Sequence, residues 1–386
     1  MSKKFTWNEN WKFTKDAVTV SDKTTSAGNW ETLDLPHTWN GDDGQDGGND
    51  YYRGTCYYAK SMKRDEFGSD PIVYMEFEGA NSSAWLYVNG KEAGHHDGGY
   101  STWRVNVTDL LAEDNEIVVA VDNAPNDHVY PQMADFTFYG GLYRDVNVIS
   151  VSDAHFDLDY YGTPGIAVTP TVEGANAKVE VEVFVTDAAE GDTLEYVIKD
   201  GDAVVATKTT SADETKATFE IENVHLWNGR KDPHLYTAEV SLKRNDAVLD
   251  ERSTRFGCRT FAIDPEKGFI LNGERYPLHG VSRHQDRPHI GNALTHKEHK
   301  EDIDLILEMG ANTIRLAHYQ HNQYFYDLCD EAGLVIWAEI PYISKHLPNG
   351  RENTVSQMKE LITQNYNHPC IVVWGLSNEI TMGGAE

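Results

Sequence analysis

Basic residues are scarce in this chain: 33 lysines and arginines stand against 62 aspartates and glutamates, a formal charge of −29. A surface of that sign repels phosphodiester backbones and anionic headgroups, which argues against nucleic acid or a membrane surface as partner and for a neutral ligand. Cysteine is rare as well. Cys56, Cys258, Cys329 and Cys370 are scattered without CxxC spacing, so they imply neither a zinc site nor a disulfide framework and read as reduced packing residues. No apolar run reaches the roughly 18 residues that a bilayer span needs. The start, "MSKKFTWNENW", carries two lysines with no apolar segment behind them, which argues against a secretory signal peptide and for a cytoplasmic location.

What is present is a globular composition, 40% hydrophobic and 25% charged, over 386 residues, enough for two or three cores. Up to about residue 151 the hydrophobic period is two. In "PIVYMEFEG", Val73, Met75 and Phe77 alternate with Tyr74, Glu76 and Glu78, as in an antiparallel sheet with one buried face. "SAWLYVNGKEAG" places Asn89-Gly90 at a hairpin turn, and "NEIVVAVDN" turns Ile117, Val119 and Val121 inward. Strands at this spacing without long helices predict a jelly-roll β-sandwich over 1–151. From 152 to 262 the alternation is plainer, as in "KVEVEVFVTD", with a reversal at Asp200-Gly201; this predicts an immunoglobulin-like sandwich in a spacer role.

From 263 to 386 the pattern becomes strand, helix, strand. Thr295 and Glu298 form a capping box ahead of "HKEHKEDIDLILEMG", whose Ile303, Ile306 and Leu307 give an apolar stripe. "YPLHGVSRH", "NTIRLAHY", "LVIWAEI" and "CIVVWGLSNE" read as strands apolar on both faces, hence as a parallel sheet covered by helices. Such β units, with polar residues at the strands' C-terminal ends, predict the first half of a (β/α)8 TIM barrel. A dinucleotide fold would want GxGxxG after its first strand, and "GVSRHQDRPHIG" lacks it. The polar ends are Arg283 and His284, Arg315 and His318, Glu339, and Asn378 with Glu379, which a barrel brings to one mouth.

Carboxylates there, with histidines, an arginine and the aromatics Trp337 and Trp374, suit cleavage of a glycosidic bond, which needs one carboxyl to donate a proton and a second to act as nucleophile or base. Glu379 fits the donor, given burial beside a second carboxylate to raise its pKa. Asn378 offers an amide to a sugar hydroxyl. Each residue has a structural rival: core histidines, a salt-bridged Arg315. Glu339 divides between a buried hydrogen-bonding role and substrate contact. Trp7, Trp11, Trp30 and Trp39 are read as packing rather than sugar-stacking residues. The segment "NGDDGQDGGNDYYRG" misses EF-hand spacing and reads as a flexible loop near the barrel mouth.

The succession "FYGGLYRDV", "HGVSRH", "IRLAHY", "DEAGLVIWAEIP", "NHPCIVVWGLSNE" resembles family 2 of the glycoside hydrolases, and within it the bacterial β-galactosidases, over essentially the whole chain. The resemblance implies a jelly roll, an immunoglobulin-like domain and a (β/α)8 barrel in a retaining enzyme that releases terminal β-D-galactose from β-galactosides such as lactose. By the same resemblance Glu379 is the general acid/base and Asn378 contacts the sugar 2-hydroxyl. His284 and His318 line the sugar subsite, Arg315 orients the nucleophile, and Asp135 reaches in from the jelly roll to bind the sugar. The full-length enzyme is expected to be a homo-oligomer.

Two departures qualify this. Relatives that bind magnesium beside the acid/base do so through a Glu and a His where this chain has Ile343 and Lys345, so no cofactor is required and no metal ligands are assigned, with a cation near Glu379 left open. The family's nucleophilic glutamate falls on a later strand beyond residue 386, so the chain is expected to be an inactive fragment of a longer polypeptide. The alternatives are a β-glucuronidase or β-mannosidase of the same family, and a non-catalytic carbohydrate-binding protein.

Overall fold

The computed structural model describes residues 3–20 and 29–381; residues 382–386, the end of the stretch read as a half-barrel, lie outside the described residues. The jelly roll packs a six-stranded antiparallel sheet, centred on Thr55–Lys63 and Asp114–Asp122, against a four-stranded one in which Val146–Val151 and Ile72–Phe77 are central. Val73, Met75 and Phe77 are fully buried between them, as their alternation demands. Trp7, Trp11 and Trp39 belong to the same core, which removes them as sugar platforms. Asn89 and Gly90 both have positive φ, 52° and 78°, the pair that a type I′ hairpin turn requires.

The outer face of the smaller sheet is not wet. Tyr74 packs with Ile149, Val151 and Leu158, and Glu76 is buried between Arg104 and Lys4, each at 2.6 Å. Burial alone would favour a neutral Glu76, but the charges of Arg104 and Lys4 outweigh it and hold the carboxyl well below the usual carboxylate range. A one-faced sheet was expected from alternation; the residues leading into the next domain cover its second face.

The second domain pairs Ile166–Glu173, Asn176–Val183 and Lys216–Ile221 in one sheet, and Ala203–Ser211, Thr193–Asp200, Tyr236–Arg244 and Ala247–Phe256 in another. Trp227, in the connection between Lys216–Ile221 and Tyr236–Arg244, is fully buried and donates its indole N–H to the Asp330 carbonyl at 2.9 Å, which fixes this sandwich to the barrel's base.

The barrel part holds four parallel strands in sequential order, Gly280–Arg283, Thr313–Leu316, Val335–Glu339 and Ile371–Gly375. Helices α1 (His296–Glu308), α2 (Gln323–Ala332) and α3 (Arg351–Asn365) connect them. Thr295 closes the predicted capping box on α1, and Gly333 ends α2 in the left-handed conformation at φ 68°. Ile314, Leu316, Ile336 and Ala338 face the helices and are buried, whereas Arg315 and Trp337, adjacent in register, face the other way with Glu339. That other face is mixed, with Val335, Trp337 and Val373 beside Arg315 and Glu339. Among the described residues no helix is long and apolar enough to cross a membrane.

Candidate active site

Period two in the parallel strands decides which polar residues meet. Arg283 is in register with Leu316, so it turns to the helix side and leaves the mouth. There it donates to Asp302 of α1 at 2.6 and 2.9 Å and to the ring nitrogens of His321 and His299 at 2.9 and 3.1 Å, its guanidinium over Phe325. Burial and then the Arg283 charge push both imidazoles below their ordinary value, His299 to about 2, so both stay neutral acceptors. Trp374 is paired with Ala338 and likewise lies in the helix-facing layer, packed on the barrel core. Register thus separates Trp374, a possible site residue by its position at the strand end, from Trp337 on the open face.

On the open face Arg315, Glu339, His318 and Asn378 form one network. Arg315 Nε donates to Glu339 Oε1, and its Nη2 donates to Asn378 Oδ1 at 2.8 Å. His318 Nδ1 meets Glu339 Oε2 at 2.8 Å. Glu339 is only 2% exposed. Burial works against its charge, but hydrogen bonds from His318 and Arg315 outweigh that and hold its carboxyl below the ordinary value. Glu339 is thus the buried anchor of the network, with both oxygens engaged. Gly375, opposite Glu339 in register, has room for no side chain: a Cβ there would lie 2.5 Å from Trp337 Nε1 and 2.6 Å from Glu339 Cγ.

The loop after the fourth strand is held by its backbone. Asn378 N donates to the Tyr342 carbonyl and Ser344 N to the Asn378 carbonyl, both at 3.0 Å. Glu379 follows in the left-handed region at φ 49°. It is exposed, and among the described residues no hydrogen bond or ion pair holds its carboxylate. The burial expected for a proton donor is not supplied by these residues, since no described element covers it.

His284, just past the first strand, completes the cluster. The Tyr319 hydroxyl lies 3.2 Å from His284 Nδ1 and accepts the Gln285 N–H at 3.3 Å. Burial, and then neighbouring His318, hold the His284 imidazole below its ordinary value. Its ring lies 5.3 Å from that of His318 and 4.9 Å from Phe136, which comes from the jelly roll. Asp135 is exposed on the wall of a cavity of about 410 Å³ that Phe136, Tyr51 and Arg53 also line. Its neighbour Phe136, packed on His284, brings this part of the jelly roll to the strand ends.

Phe136 and Tyr319 were not anticipated, although each sits beside a residue that was. The loop at 40–54 also docks here, through Gln45 on the Tyr139 hydroxyl at 2.6 Å and Asp42 on His289 at 2.8 Å. Among the described residues one cluster has metal-ligating types in reach of each other, Asp330, His368 and Cys370, and it lies at the opposite end of the sheet. Ile343 is buried and Lys345 exposed beside the Asn378 loop.

Comparison with known proteins decides the family. The sugar-binding, central and TIM-barrel domains of the glycosyl hydrolases family 2 match residues 45–152, 164–259 and 262–385. The chain belongs to this family.

A β-glucuronidase of Bacteroides fragilis is 37% identical over 97% of this chain and 56% of its own length. A β-galactosidase of Thermoanaerobacter pseudethanolicus is 29% identical over 90% of this chain and 48% of its own. Among solved structures, an FMN-binding β-glucuronidase from Facaelibacterium prausnitzii L2-6 superposes with a TM-score of 0.94 at 44% identity, covering 100% of this chain and 60% of that one. The chain thus spans about half the length of the curated family 2 relatives it matches.

Proposed function

We propose that this chain carries the sugar-binding half of a retaining β-glucuronidase active site. The observation that carries the glycosidase reading is the Arg315, Glu339, His318 and Asn378 network beside Glu379. In this reading Glu379 protonates the glycosidic oxygen. With Asn378 Oδ1 taken by Arg315, its NH2 is the group turned to the sugar. With His318 Nδ1 donating to Glu339, its Nε2 is left for a hydroxyl. Glu339 has no free oxygen and is not the nucleophile; no residue here is assigned that role.

Identity supports the glucuronide over the galactoside. Relatives named as β-glucuronidases reach 44%, 37% and 34%, against 29% for the Thermoanaerobacter β-galactosidase and 37% for a Bacteroides fragilis structure named a putative β-galactosidase. A glucuronide is an anion, so the neutral ligand inferred from the charge of −29 gives way to a local argument. At physiological salt, charges more than about 8 Å away are largely screened, and only nearby cations decide. The test is kcat/KM for p-nitrophenyl β-D-glucuronide and β-D-galactoside in the enzyme that contains this chain. Glucuronide preference is expected, with a loss of about 10²- to 10⁴-fold in Glu379→Gln; galactoside preference overturns the specificity, and an unaffected variant overturns the acid role.

As a second reading we infer that the chain binds flavin mononucleotide. It is supported by the FMN-binding relative, 44% identical over the whole of this chain. Glycoside hydrolysis moves no electrons, so the flavin is expected to leave the hydrolytic step alone. A fluorescence titration of flavin mononucleotide with the chain tests it; flavin emission unchanged at saturating protein refutes it.

A further inference from the structure

The two histidines at the strand ends are given opposite partners. His318 Nδ1 lies 2.8 Å from Glu339 Oε2 and 3.2 Å from Arg315 Nη2. A carboxylate oxygen only accepts, so a bare Nδ1 at the shorter distance would set lone pair against lone pair, and Nδ1 carries the proton. In the neutral ring Nε2 is then an acceptor.

His284 faces a phenol instead. The Tyr319 oxygen accepts the Gln285 backbone N–H at 3.3 Å, and the same hydroxyl stands 3.2 Å from His284 Nδ1. Tyr319 is 2% exposed, and among the described residues its hydroxyl has no further hydrogen-bond partner. Were His284 protonated at Nδ1, the oxygen would accept twice and its own hydrogen would be left buried and unpaired, which is costly. The O–H therefore donates to Nδ1, and the imidazole proton sits on Nε2. The jelly roll holds the phenol in place. Tyr100 stacks on Tyr319 with ring centroids 4.2 Å apart and 13° between planes, and Arg144 donates to the carbonyls of Tyr100 at 2.7 Å and Gln320 at 2.8 Å.

Resting on the glycosidase reading above, we propose that Tyr319 is a positioning residue that fixes His284 as an Nε2–H donor. The histidine pair, with ring centroids 5.3 Å apart, then reads the sugar by a hydroxyl that accepts from His284 and a hydroxyl that donates to His318.

The test is a double-mutant cycle in the enzyme that contains this chain, read as kcat/KM for whichever of the p-nitrophenyl β-D-glucuronide and β-D-galactoside it prefers. Tyr319→Phe keeps the ring that stacks on Tyr100 and is expected to lower kcat/KM about fivefold, the worth of one neutral hydrogen bond. His284→Gln offers an N–H2 near the place of Nε2 without needing the phenol, so adding Tyr319→Phe to it should cost less than about twofold. Glycosides each lacking one hydroxyl form the second arm: the Tyr319→Phe penalty should vanish for the one that lacks the hydroxyl served by His284 and persist for the others. No loss in Tyr319→Phe, the same loss in both backgrounds, or the same loss on every deoxy glycoside overturns the proposal and leaves Tyr319 a packing residue. Glu379→Gln, measured alongside, tests the glycosidase reading separately, since its failure removes the acid role whatever the coupling of Tyr319 to His284.

Discussion

Glu339→Gln is the substitution that most directly tests how the strand-end network is held. The glutamate is 2% exposed and gives one oxygen to Arg315 and the other to His318. Glutamine keeps one acceptor and turns an N–H2 toward the other donor, so one of two charge-assisted bonds is lost, at about 1.5–3 kcal/mol. Removing one partner of a fully buried ion pair costs roughly 3–5 kcal/mol, but the Arg315 side chain is 35% exposed and water can take over part of its solvation. The expected loss is therefore about 2–3 kcal/mol.

A chain of three domains does not unfold in one step, so the readout is local: hydrogen exchange of the amides in Val335–Glu339, expected to be about 30- to 150-fold faster in the variant at pH 7. The pH dependence has a definite sign. Because the folded pKa of Glu339 is held below its ordinary 4.5, its contribution is complete above that value and is lost as pH falls through the folded one. Protonated Glu and Gln are near-isosteres, so parent and variant should differ equally at pH 7 and pH 5 and converge below about 4.5. An equal difference at pH 7 and in acid, or one below about threefold at pH 7, would refute the reasoning.

Phe136→Ala removes the ring that packs on His284 at 4.9 Å and on Tyr319 at 5.5 Å, and should raise KM for the glycoside more than it lowers kcat in steady-state kinetics. Gly375→Ala places a methyl 2.6 Å from Glu339 Cγ, which should cost about 1–3 kcal/mol and speed exchange in the third and fourth strands. His368 pairs with Asp330 at 2.6 Å; burial opposes its charge, but Asp330 outweighs that and raises its pKa. Its stabilisation is complete below the ordinary 6.5 and lost as pH rises through the folded value, so the gap between parent and His368→Gln should narrow on the alkaline side, measured by the ratio of their hydrogen-exchange rates at the amides of Ile371–Gly375 from pH 6 to 9.

Much of this site could be read before any coordinates. "RLAHY", "WAEI" and "LSNE" each end an apolar run with polar groups, and strands alternating with helices bring such ends together whatever the detail of packing. Arg283 and Trp374 turn to the helix side for one reason. A run of five or six residues shows that a strand ends in polar groups, but facing depends on register with the neighbouring strand, and Leu316 and Ala338 turn out to be the partners. Phe136 escaped notice for a related reason: its role depends on a contact with His284 across 148 positions of sequence, and no local period encodes that.

The sequence by itself determined the order of the three domains, the family, and the set of groups at the strand ends, because these follow from periodicity and from short motifs that hydrogen bonding and side-chain alternation enforce locally. Only the tertiary structure decided that Glu339 is an anchor with both oxygens spent, that Glu76 is a buried ion rather than a surface one, and that the jelly roll closes over the histidines through Phe136. Burial and ionisation are set by what the rest of the chain places around a residue, and a carboxylate reads the same in sequence whether water, an arginine or an apolar ring is its neighbour.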